Sequence, residues 1–108
     1  MGPRLSGKCS DSMAEYRLTP KAEHDLEGIW LYTRAQWGAE QAHRYTDRLV
    51  AAFEELATAP KTAPSCEHIR KDYRRQIIGR HAIYFRITDY GIAVIRILHA
   101  QMDAPRHL

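Results

Sequence analysis

The sequence predicts a small α+β domain in which an antiparallel helical hairpin packs on an antiparallel sheet with a three-stranded C-terminal meander. Three observations support this class: a short N-terminal strand, two successive apolar stripes with helical spacing, and three closing strand-like segments separated by turns. A chain of 108 residues fits one domain and can bury a core without disulfides or metal. We therefore expect one domain over residues 13–108. Residues 1–12 are expected to be a disordered leader or an added extension, with Met13 as the native start.

Local signals mark the first strand and helix. Residues 14–18 alternate as a short strand, and Thr19 then supplies an N-cap with Pro20 at the first helical position. Gly38 is expected to end this helix. The apolar stripe recurs at steps of three and four and consists of Ala22, Leu26, Ile29, Trp30, Thr33 and Trp37. This spacing favours a core position for both tryptophans over an exposed binding platform.

A second helix follows directly, so the two helices should form an antiparallel hairpin joined at Trp37 and Gly38. Its apolar face consists of Ala42, Tyr45, Leu49, Ala52, Phe53 and Leu56. Pro60 closes this helix. From there to Asp72, proline, threonine, serine and lysine are frequent, which predicts a surface loop rather than a domain boundary.

Three strands complete the predicted domain, over residues 73–78, 82–88 and 92–98, with turns at 79–81 and 89–91. Strand alternation places these side chains toward the helices: Ile83, Phe85, Ile87, Ala93, Ile95 and Ile97. The opposite face carries Ala82, Tyr84, Arg86, Thr88, Ile92, Val94, Arg96 and Leu98. That mixture is too apolar for a solvated face and too charged for a core. It needs a cover, which the C-terminal segment, a second copy or a different protein could supply.

Arginine dominates the charge of the chain. The formal net charge is +3, and 12 of the 16 basic residues are arginine, whose planar fork suits carboxylates and phosphates. Both a nucleic acid and an acidic protein therefore fit as partners. Arg75, Arg86 and Arg96 lie within apolar strands, where a charge is costly, so we interpret them as a groove for an anionic partner.

A purely structural role is the alternative for these arginines. Arg86 and Arg96 could form salt bridges with acidic residues elsewhere in the chain, for which the candidates are Glu54, Glu55 and Asp103. Arg74 and Arg75 have opposite parity, so only one of them can face the groove.

Several classes of function lack support in the sequence. Cys9 and Cys66 are far apart and are interpreted as free thiols of a reducing compartment. No apolar run reaches the length of a membrane span, and no signal peptide is recognisable, so we expect a soluble cytoplasmic protein. Walker loops, zinc-spaced ligands and nucleophile elbows are missing, so we expect no cofactor and no metal.

His99 and Asp103 lie four residues apart and are interpreted as an ion pair or cap rather than an acid/base couple.

Many short segments, in this order along the chain, resemble the ParE branch of the RelE/ParE toxin superfamily. They cover most of the chain from Met13 onward and lie at residues 16–22, 25–30, 32–33, 37–38, 41–42, 45, 69–70, 73–75, 79–86, 95–99, 102–103 and 106–108. The resemblance implies a toxin of a type II toxin–antitoxin module that inhibits DNA gyrase, stabilises cleaved DNA and is not an enzyme. Topoisomerase IV is the alternative target.

The resemblance also implies a cognate ParD-like antitoxin, whose flexible C-terminal region wraps the toxin in a heterotetramer or larger complex. It implies no membrane partner and no sequence-specific DNA binding by the toxin alone. Combined with the predicted sheet face, it places antitoxin binding on Arg75, Tyr84, Arg86, Arg96, His99 and Met102. Candidates for the gyrase contact are Trp37, Arg80, Asp103, Arg106 and His107.

A ribonuclease is the alternative from another class of function. The same superfamily contains RelE-type endoribonucleases, which cleave messenger RNA on the ribosome. In this chain Arg75, Arg86, Arg96 and His99 could stabilise a phosphorane and transfer a proton. The C-terminal His99, Met102 and Asp103 match the ParE type instead, which favours the gyrase inhibitor.

Overall fold

The computed structural model describes residues 14–66 and 71–101 of the chain. The elements are β1 (Glu15–Leu18), α1 (Pro20–Trp37), α2 (Ala39–Thr58), a 3₁₀ turn (Pro60–Thr62), β2 (Tyr73–Ile78), β3 (His81–Thr88) and β4 (Gly91–His99). Their order and type confirm the sequence prediction, and the strand bounds agree within one residue. The residues of the sequence analysis that lie outside the described ranges are Cys9, Met13, Met102, Asp103, Arg106 and His107.

The four strands form one mixed sheet in the order β1-β4-β3-β2. β2, β3 and β4 make the predicted antiparallel meander, whereas β1 pairs in parallel with β4. A parallel neighbour requires a long crossover, and the two helices supply part of it. The sequence did not predict this pairing. A short strand that is followed by a helix has no hairpin turn, so nothing in the local sequence indicates which strand it pairs with.

Capping explains the helical hairpin. Thr19 Oγ1 accepts a hydrogen bond from the backbone N–H of Ala22 at 3.1 Å, and Pro20 begins α1, as predicted. Gly38 has φ of 97° and joins the two helices by itself, a conformation that favours glycine. Trp37 is 69% exposed, so its predicted core position is wrong. As the last residue of α1 it lies at the hairpin tip, past the last buried residue of that helix, Thr33.

The main core lies between the helices and one face of the sheet. Its largest fully buried side chains are Leu49, Phe53, Ile83, Phe85, Ile92 and Val94. The predicted stripe of α2 is confirmed, because all its members except the half-buried Tyr45 are buried. None of the described helices is long and apolar enough to cross a membrane.

A β-bulge in β4 overturns part of the predicted face assignment. Tyr84 pairs with Arg96, but the next residue, Phe85, pairs with Val94, so Ile95 is the extra residue. One extra residue reverses the alternation of side chains along a strand. Ile92 and Val94 therefore lie in the main core with Ile97. The prediction that Ala93 and Ile95 lie in the core instead is wrong, since both are only half-buried and neither belongs to the core.

Ile87 was also expected in the core, and this prediction is wrong as well. Its side chain is 41% exposed, although the strand alternation that buries Ile83 and Phe85 applies to it too. It lies next to the last residue of β3, at the end of the sheet where the turn to β4 begins. Burial at such a position depends on how far the helices extend over the sheet, which the alternation does not specify.

Beyond the end of β1, side chains instead of a strand form hydrogen bonds with the backbone of β4. β1 pairs with Gly91 to Val94, and beyond it Thr19 Oγ1 donates to the carbonyl oxygen of Ile95 at 2.8 Å. The carboxylate of Asp25 then accepts from the backbone N–H of Ile97 at 3.0 Å. The first turns of α1 thus satisfy backbone groups that a longer β1 would have paired.

Candidate functional site

A groove of about 690 Å³ opens between the helical hairpin and one end of the sheet. α1 and α2 form one side of it, and the β2–β3 turn and the end of β4 form the other. We call it the hairpin groove. Its aromatic, basic and histidine side chains include His24, Tyr32, Trp37, Arg48, Arg80 and His99.

The floor of the hairpin groove is a hydrogen-bonded cluster around Tyr45. Its hydroxyl lies 2.7 Å from His81 Nδ1 and 3.2 Å from the carbonyl oxygen of Ile78, and it accepts from the backbone N–H of Arg80 at 3.1 Å. A carbonyl oxygen can only accept, so when Tyr45 donates to Ile78, the His81 bond must come from a protonated Nδ1. The cluster thereby attaches the β2–β3 turn to α2.

Two histidine rings meet beside this cluster. The ring centroids of His81 and His99 are 5.6 Å apart in an edge-on arrangement. Burial, with His99 next to it, lowers the pKa of His81 below its ordinary value. The lowered pKa favours the neutral ring of His81, which can act as a hydrogen-bonding group of the groove floor.

A buried ion pair between Asp25, which lines the hairpin groove, and Arg96 on β4 lies next to the groove. Arg96 binds Asp25 with both ends of its guanidinium: Nε lies 2.7 Å from Oδ2, and Nη2 lies 2.9 Å from Oδ1. Both side chains are largely buried, at 18% and 12% exposure. The bond to Asp25 raises the pKa of Arg96 above its already high ordinary value. The sequence suggested Glu54, Glu55 and Asp103 as partners and overlooked Asp25, which only tertiary packing brings to β4.

Two other arginines of the hairpin groove are exposed. Arg48 on α2 and Arg80 in the β2–β3 turn form no salt bridge with any residue of the described ranges. Among the described residues that line the groove, Asp25 is the only carboxylate, and its two oxygens are already bound to Arg96 and to the backbone of Ile97. The charges of this described lining that have no ion-pair partner within the described ranges are therefore positive.

The outer face of the sheet, which points away from the helices, has a different character. Tyr84 is only 3% exposed and packs with Ala82, Leu98 and Cys66 in a second small cluster. Arg75 pairs across the strands with Tyr84 and is half-buried. Of the two adjacent arginines, Arg75 is therefore the one on the outer face. Arg74 instead donates from Nη1 to the carbonyl oxygen of Ala63 at 2.7 Å.

Arg86 and Cys66 lie at the margins of this outer face. Arg86 is exposed, and it lines a smaller pocket with Ser65, Asp72 and Tyr73. Cys66 is a buried free thiol, as predicted, and burial raises its pKa despite the neighbouring Arg75. A raised pKa keeps this sulfur protonated, so it behaves as a small apolar side chain.

The predicted site residues therefore separate into three places. Trp37, Arg80 and His99 line the hairpin groove, although two were predicted for gyrase and one for the antitoxin. Arg75, Tyr84 and Arg86 lie on the outer face, and Arg96 is bound to Asp25. Sequence reasoning missed Tyr32, Arg48 and His81, because no local pattern joins a helix face to a turn more than 30 residues away. No group of three or more potential metal ligands occurs within residues 14–66 and 71–101.

The fold has a solved counterpart. A chain of the structure titled "Chromosomal ParDE TA system from P. aeruginosa" superposes with a TM-score of 0.72, covering 82% of this chain and 98% of that one. The sequence identity is 20%, so this likeness shows the shared fold alone. Two helices on a mixed four-stranded sheet are thus an architecture that this chain shares with a chain of that structure.

Sequence relationships then define the family. A family model described as "ParE toxin of type II toxin-antitoxin system, parDE" matches residues 16–104. The chain is 38% identical over 96 residues to Toxin ParE1 of Mycobacterium tuberculosis, covering 88% of this chain and 98% of the relative. It is 38% identical to Toxin ParE1 of Caulobacter vibrioides, covering 89% and 99%, and 33% identical to Toxin ParE of Escherichia coli, covering 84% and 89%. The chain belongs to the ParE toxin family of type II toxin–antitoxin systems.

Proposed function

We propose that the protein inhibits DNA gyrase by direct protein contact, stabilises cleaved DNA, and is neutralised in the cytoplasm by a ParD-like antitoxin. Membership of the ParE family supports this activity. The observation that carries it is the hairpin groove, where the exposed Trp37 lines the same cavity as Arg80, which has no salt bridge with any described residue. Aromatic and arginine side chains are the residues that most often dominate the energy of protein–protein contacts.

The gyrase contact is proposed to include Trp37 and Arg80, together with the C-terminal Asp103, Arg106 and His107. Trp37 is 69% exposed, so its ring is available to a partner without any change in the toxin. Arg80 lies in the tight turn between β2 and β3, whose backbone is held by Tyr45. Because the backbone of this turn is already held, binding at Arg80 does not require the turn itself to become ordered, which favours affinity.

The antitoxin contact is proposed to include Arg75, Arg86, His99 and Met102. Arg86 is exposed and His99 is half-buried in the hairpin groove, so a segment that touches both must wrap around the sheet edge. Tyr84 and Arg96 contribute indirectly in this proposal. Tyr84 is buried beneath that face, and Arg96 is held by Asp25.

A supercoiling assay tests the proposed function. Purified gyrase, ATP and relaxed plasmid are titrated with the toxin, and both supercoiling and linear DNA are scored, with a ParD-like antitoxin added for reversal. The expected result is loss of supercoiling with accumulation of cleaved DNA, reversed by the antitoxin. Replacing gyrase with topoisomerase IV identifies the alternative target. Full supercoiling at a large excess of toxin would contradict the proposal.

The second candidate is a ribonuclease, which one specific observation favours. Tyr45, His81 and His99 form an acid/base cluster in the hairpin groove. Against it, the arginines predicted to stabilise a phosphorane do not converge on His99, because Arg75 lies on the outer face and Arg96 is bound to Asp25. A translation extract tests it: cleavage of ribosome-bound message by the wild type and not by His99→Ala would favour the ribonuclease.

A further inference from the structure

We infer that the hairpin groove binds single-stranded DNA without regard to sequence, with phosphates between Arg48 and Arg80 and bases stacked on Tyr32 and Trp37. The inference goes beyond the proposed protein contact with gyrase, and it rests on the proposed function for the choice of DNA over RNA. Proteins that bind single strands in this way combine a positively charged groove, which follows the backbone, with aromatic side chains on which the bases stack. The hairpin groove contains both parts.

The charge of the groove favours a polyanion. Arg48 on α2 and Arg80 in the β2–β3 turn are exposed, lie on opposite sides of the groove, and form no salt bridge with any described residue. Asp25 does not oppose an anion strongly, because its carboxylate already accepts bonds from Arg96 and from the backbone of Ile97. Phosphate oxygens between the two exposed guanidinium groups would accept charge-assisted hydrogen bonds from both.

Exposed aromatic rings favour bases over acidic side chains as the second part of the ligand. Tyr32 and Trp37 are 65% and 69% exposed, and both line the groove on α1. Gly28 lies one helical turn before Tyr32 in the same lining, and a Cβ there would meet no atom within 4 Å. A planar base therefore has open space beside the Tyr32 ring. Stacking accepts any base, because every base has a π-face, so the predicted binding does not depend on sequence.

The lining residues extend along the groove for the length of a short strand. Trp37 lies at the hairpin tip, and His24 lies in the first turns of the same helix, about 20 Å away along its axis. Arg48 lies in the middle of α2, about 15 Å from the tip. At about 3.4 Å per stacked nucleotide, these distances match a strand of about four to six nucleotides.

The choice of DNA follows from the proposed function, which brings the protein to DNA that gyrase has cleaved. Stacking and phosphate contacts do not use the 2′-hydroxyl, the group by which a protein distinguishes RNA from DNA. We expect Trp37 and Arg80 to lie where gyrase meets its DNA, so that one groove contacts both. A strand held in the groove is not free to be rejoined, which accounts for the proposed stabilisation of cleaved DNA.

Fluorescence anisotropy of a labelled deoxyuridine octamer, titrated with the toxin alone, tests the inference. Arg48→Gln/Arg80→Gln should lose about 10-fold in affinity at low salt, and the slope of log affinity against log salt should become shallower by about 1.4. Trp37→Ala should lose about 10-fold through stacking. The matched control is Arg34→Gln/Arg44→Gln, which removes two exposed arginines of the same helices outside the groove lining and should lose less than about 3-fold. Circular dichroism establishes that each variant is folded.

Tryptophan fluorescence gives a direct readout of stacking. The chain has two tryptophans, and Trp30 does not line the groove, so in Trp30→Phe the emission comes from Trp37 alone. The octamer should quench this emission, because a base lies against the indole ring. Binding of the octamer without quenching would overturn the assignment of Trp37 as a stacking platform.

Two further ligands test the chemistry of the occupant. A glutamate octamer carries similar charge without rings, so it should compete about 10-fold more weakly than the DNA probe. Equal competition would overturn a nucleic acid as the ligand in favour of an acidic peptide. A uridine octamer differs from the probe only by its 2′-hydroxyls, so it should bind within about 3-fold of the probe. Much tighter binding of the uridine octamer would overturn the choice of DNA.

The results separate the inference from the proposed function, because the titration contains no gyrase. A toxin that inhibits supercoiling but does not bind the octamer, or that loses equal affinity in Arg34→Gln/Arg44→Gln, would overturn the DNA site and leave the proposed function. A toxin that binds the octamer in the groove but leaves supercoiling intact would overturn the proposed function and leave the DNA site.

Discussion

Arg96 and Arg80 show how the same residue type serves two purposes in this molecule. Arg96 is largely buried, and Asp25 binds two of its guanidinium nitrogens, while the same carboxylate also satisfies the β4 backbone. Arg80 is exposed in a turn, and its guanidinium has no ion-pair partner within the described residues. Arg80 lines the hairpin groove, whereas the Arg96 ion pair reaches the groove only through Asp25.

This contrast distinguishes charges that stabilise the fold from charges that are available to bind a partner. A buried charge must be paired within the chain, because an unpaired one would cost several kcal/mol (about 3–5 kcal/mol when a partner is removed). An exposed charge has no such requirement, so it can remain unpaired until a partner arrives. The structural arginine of β4 and the exposed arginine of the groove therefore differ in whether an acidic side chain binds them, and not in residue type.

The largest effect is expected from Asp25→Ala, which removes the partner of Arg96 and the acceptor for Ile97. The remaining buried guanidinium and backbone N–H should lower the free energy of unfolding by about 3 kcal/mol or more. Urea denaturation measures this loss. Asp25→Asn, which keeps one acceptor oxygen, should recover part of it. If Asp25→Ala were within about 0.5 kcal/mol of wild type, Arg96 would not be a structural charge.

Gly91→Ala should have the next largest effect, at the other end of the same β4 edge. Gly91 has φ of 141°, and a Cβ there would overlap the backbone of Glu15 in the neighbouring β1. Strain of this kind costs about 1–3 kcal/mol, and separation of β1 from β4 would add to it. Thermal denaturation checks the prediction, with Gly28→Ala as the control, because a Cβ at Gly28 meets no atom within 4 Å. Equal melting temperatures for the two variants would contradict it.

Tyr45→Phe tests the floor of the hairpin groove, where structure and recognition meet. The substitution removes the hydroxyl that contacts Ile78, His81 and Arg80, and it should cost about 1 kcal/mol of stability. The turn carrying Arg80 should become more mobile, seen as faster amide hydrogen exchange at that residue. Unchanged exchange at Arg80 would show that the turn does not depend on Tyr45.

Stability should also fall in acid because of His81. Its pKa is lowered in the folded protein by burial and then by His99, so the unfolded chain binds more protons at this residue. The contribution of His81 to the free energy of unfolding is fully present above the pKa of histidine in the unfolded chain, about 6.5. It is lost as the pH falls through the lowered pKa of His81 in the folded protein. Urea denaturation at about pH 7.5 and about pH 5.5 measures the slope, which His81→Asn should reduce. An identical slope in both proteins would assign the acid sensitivity to other groups.

The smallest effect on stability is expected at the rim of the groove. Arg80→Gln and Arg48→Gln remove exposed charges that have no described ion-pair partner, so each should change the free energy of unfolding by less than about 0.5 kcal/mol. The same urea measurement as for Asp25→Ala gives the comparison directly. A cost near that of Asp25→Ala would mean that Arg80 or Arg48 is a structural charge like Arg96.

Much of the fold was predictable because its signals are local. The Thr19–Pro20 cap, the Gly38 joint and the apolar stripe of α2 each depend on neighbouring residues, and the structure has all three. The β-bulge at Ile95 was not predictable, because strict alternation and alternation with one extra residue are both compatible with an uninterrupted run of apolar residues. The parallel pairing of β1 with β4 was not predictable for a different reason: β1 is followed by a helix, and no hairpin turn indicates which strand it pairs with.

The candidate site was predictable only in part. The strand arginines were interpreted as a groove for an anionic partner, but Arg96 is bound within the chain to Asp25, which matches the structural alternative with an acid that the sequence did not suggest. The resemblance to ParE toxins supplied the family, which the sequence relationships establish. Tyr45, Arg48 and His81 could not be assigned to one groove in advance, because residues from α2 and the β2–β3 turn meet only when the hairpin docks on the sheet.

The family was recognised from the resemblance to ParE toxins. The order of the elements, the bounds of the strands within one residue and the apolar stripe of α2 follow from covalent neighbours and from periodicities of two and 3.6 residues, which act before any long-range contact forms. The binding of Arg96 to Asp25, and the lack of an ion-pair partner for Arg80 and Arg48 among residues 14–66 and 71–101, depend on the tertiary structure. Pairing depends on distances of a few ångströms between residues that are far apart in the chain, and only the docking of the helices on the sheet sets those distances.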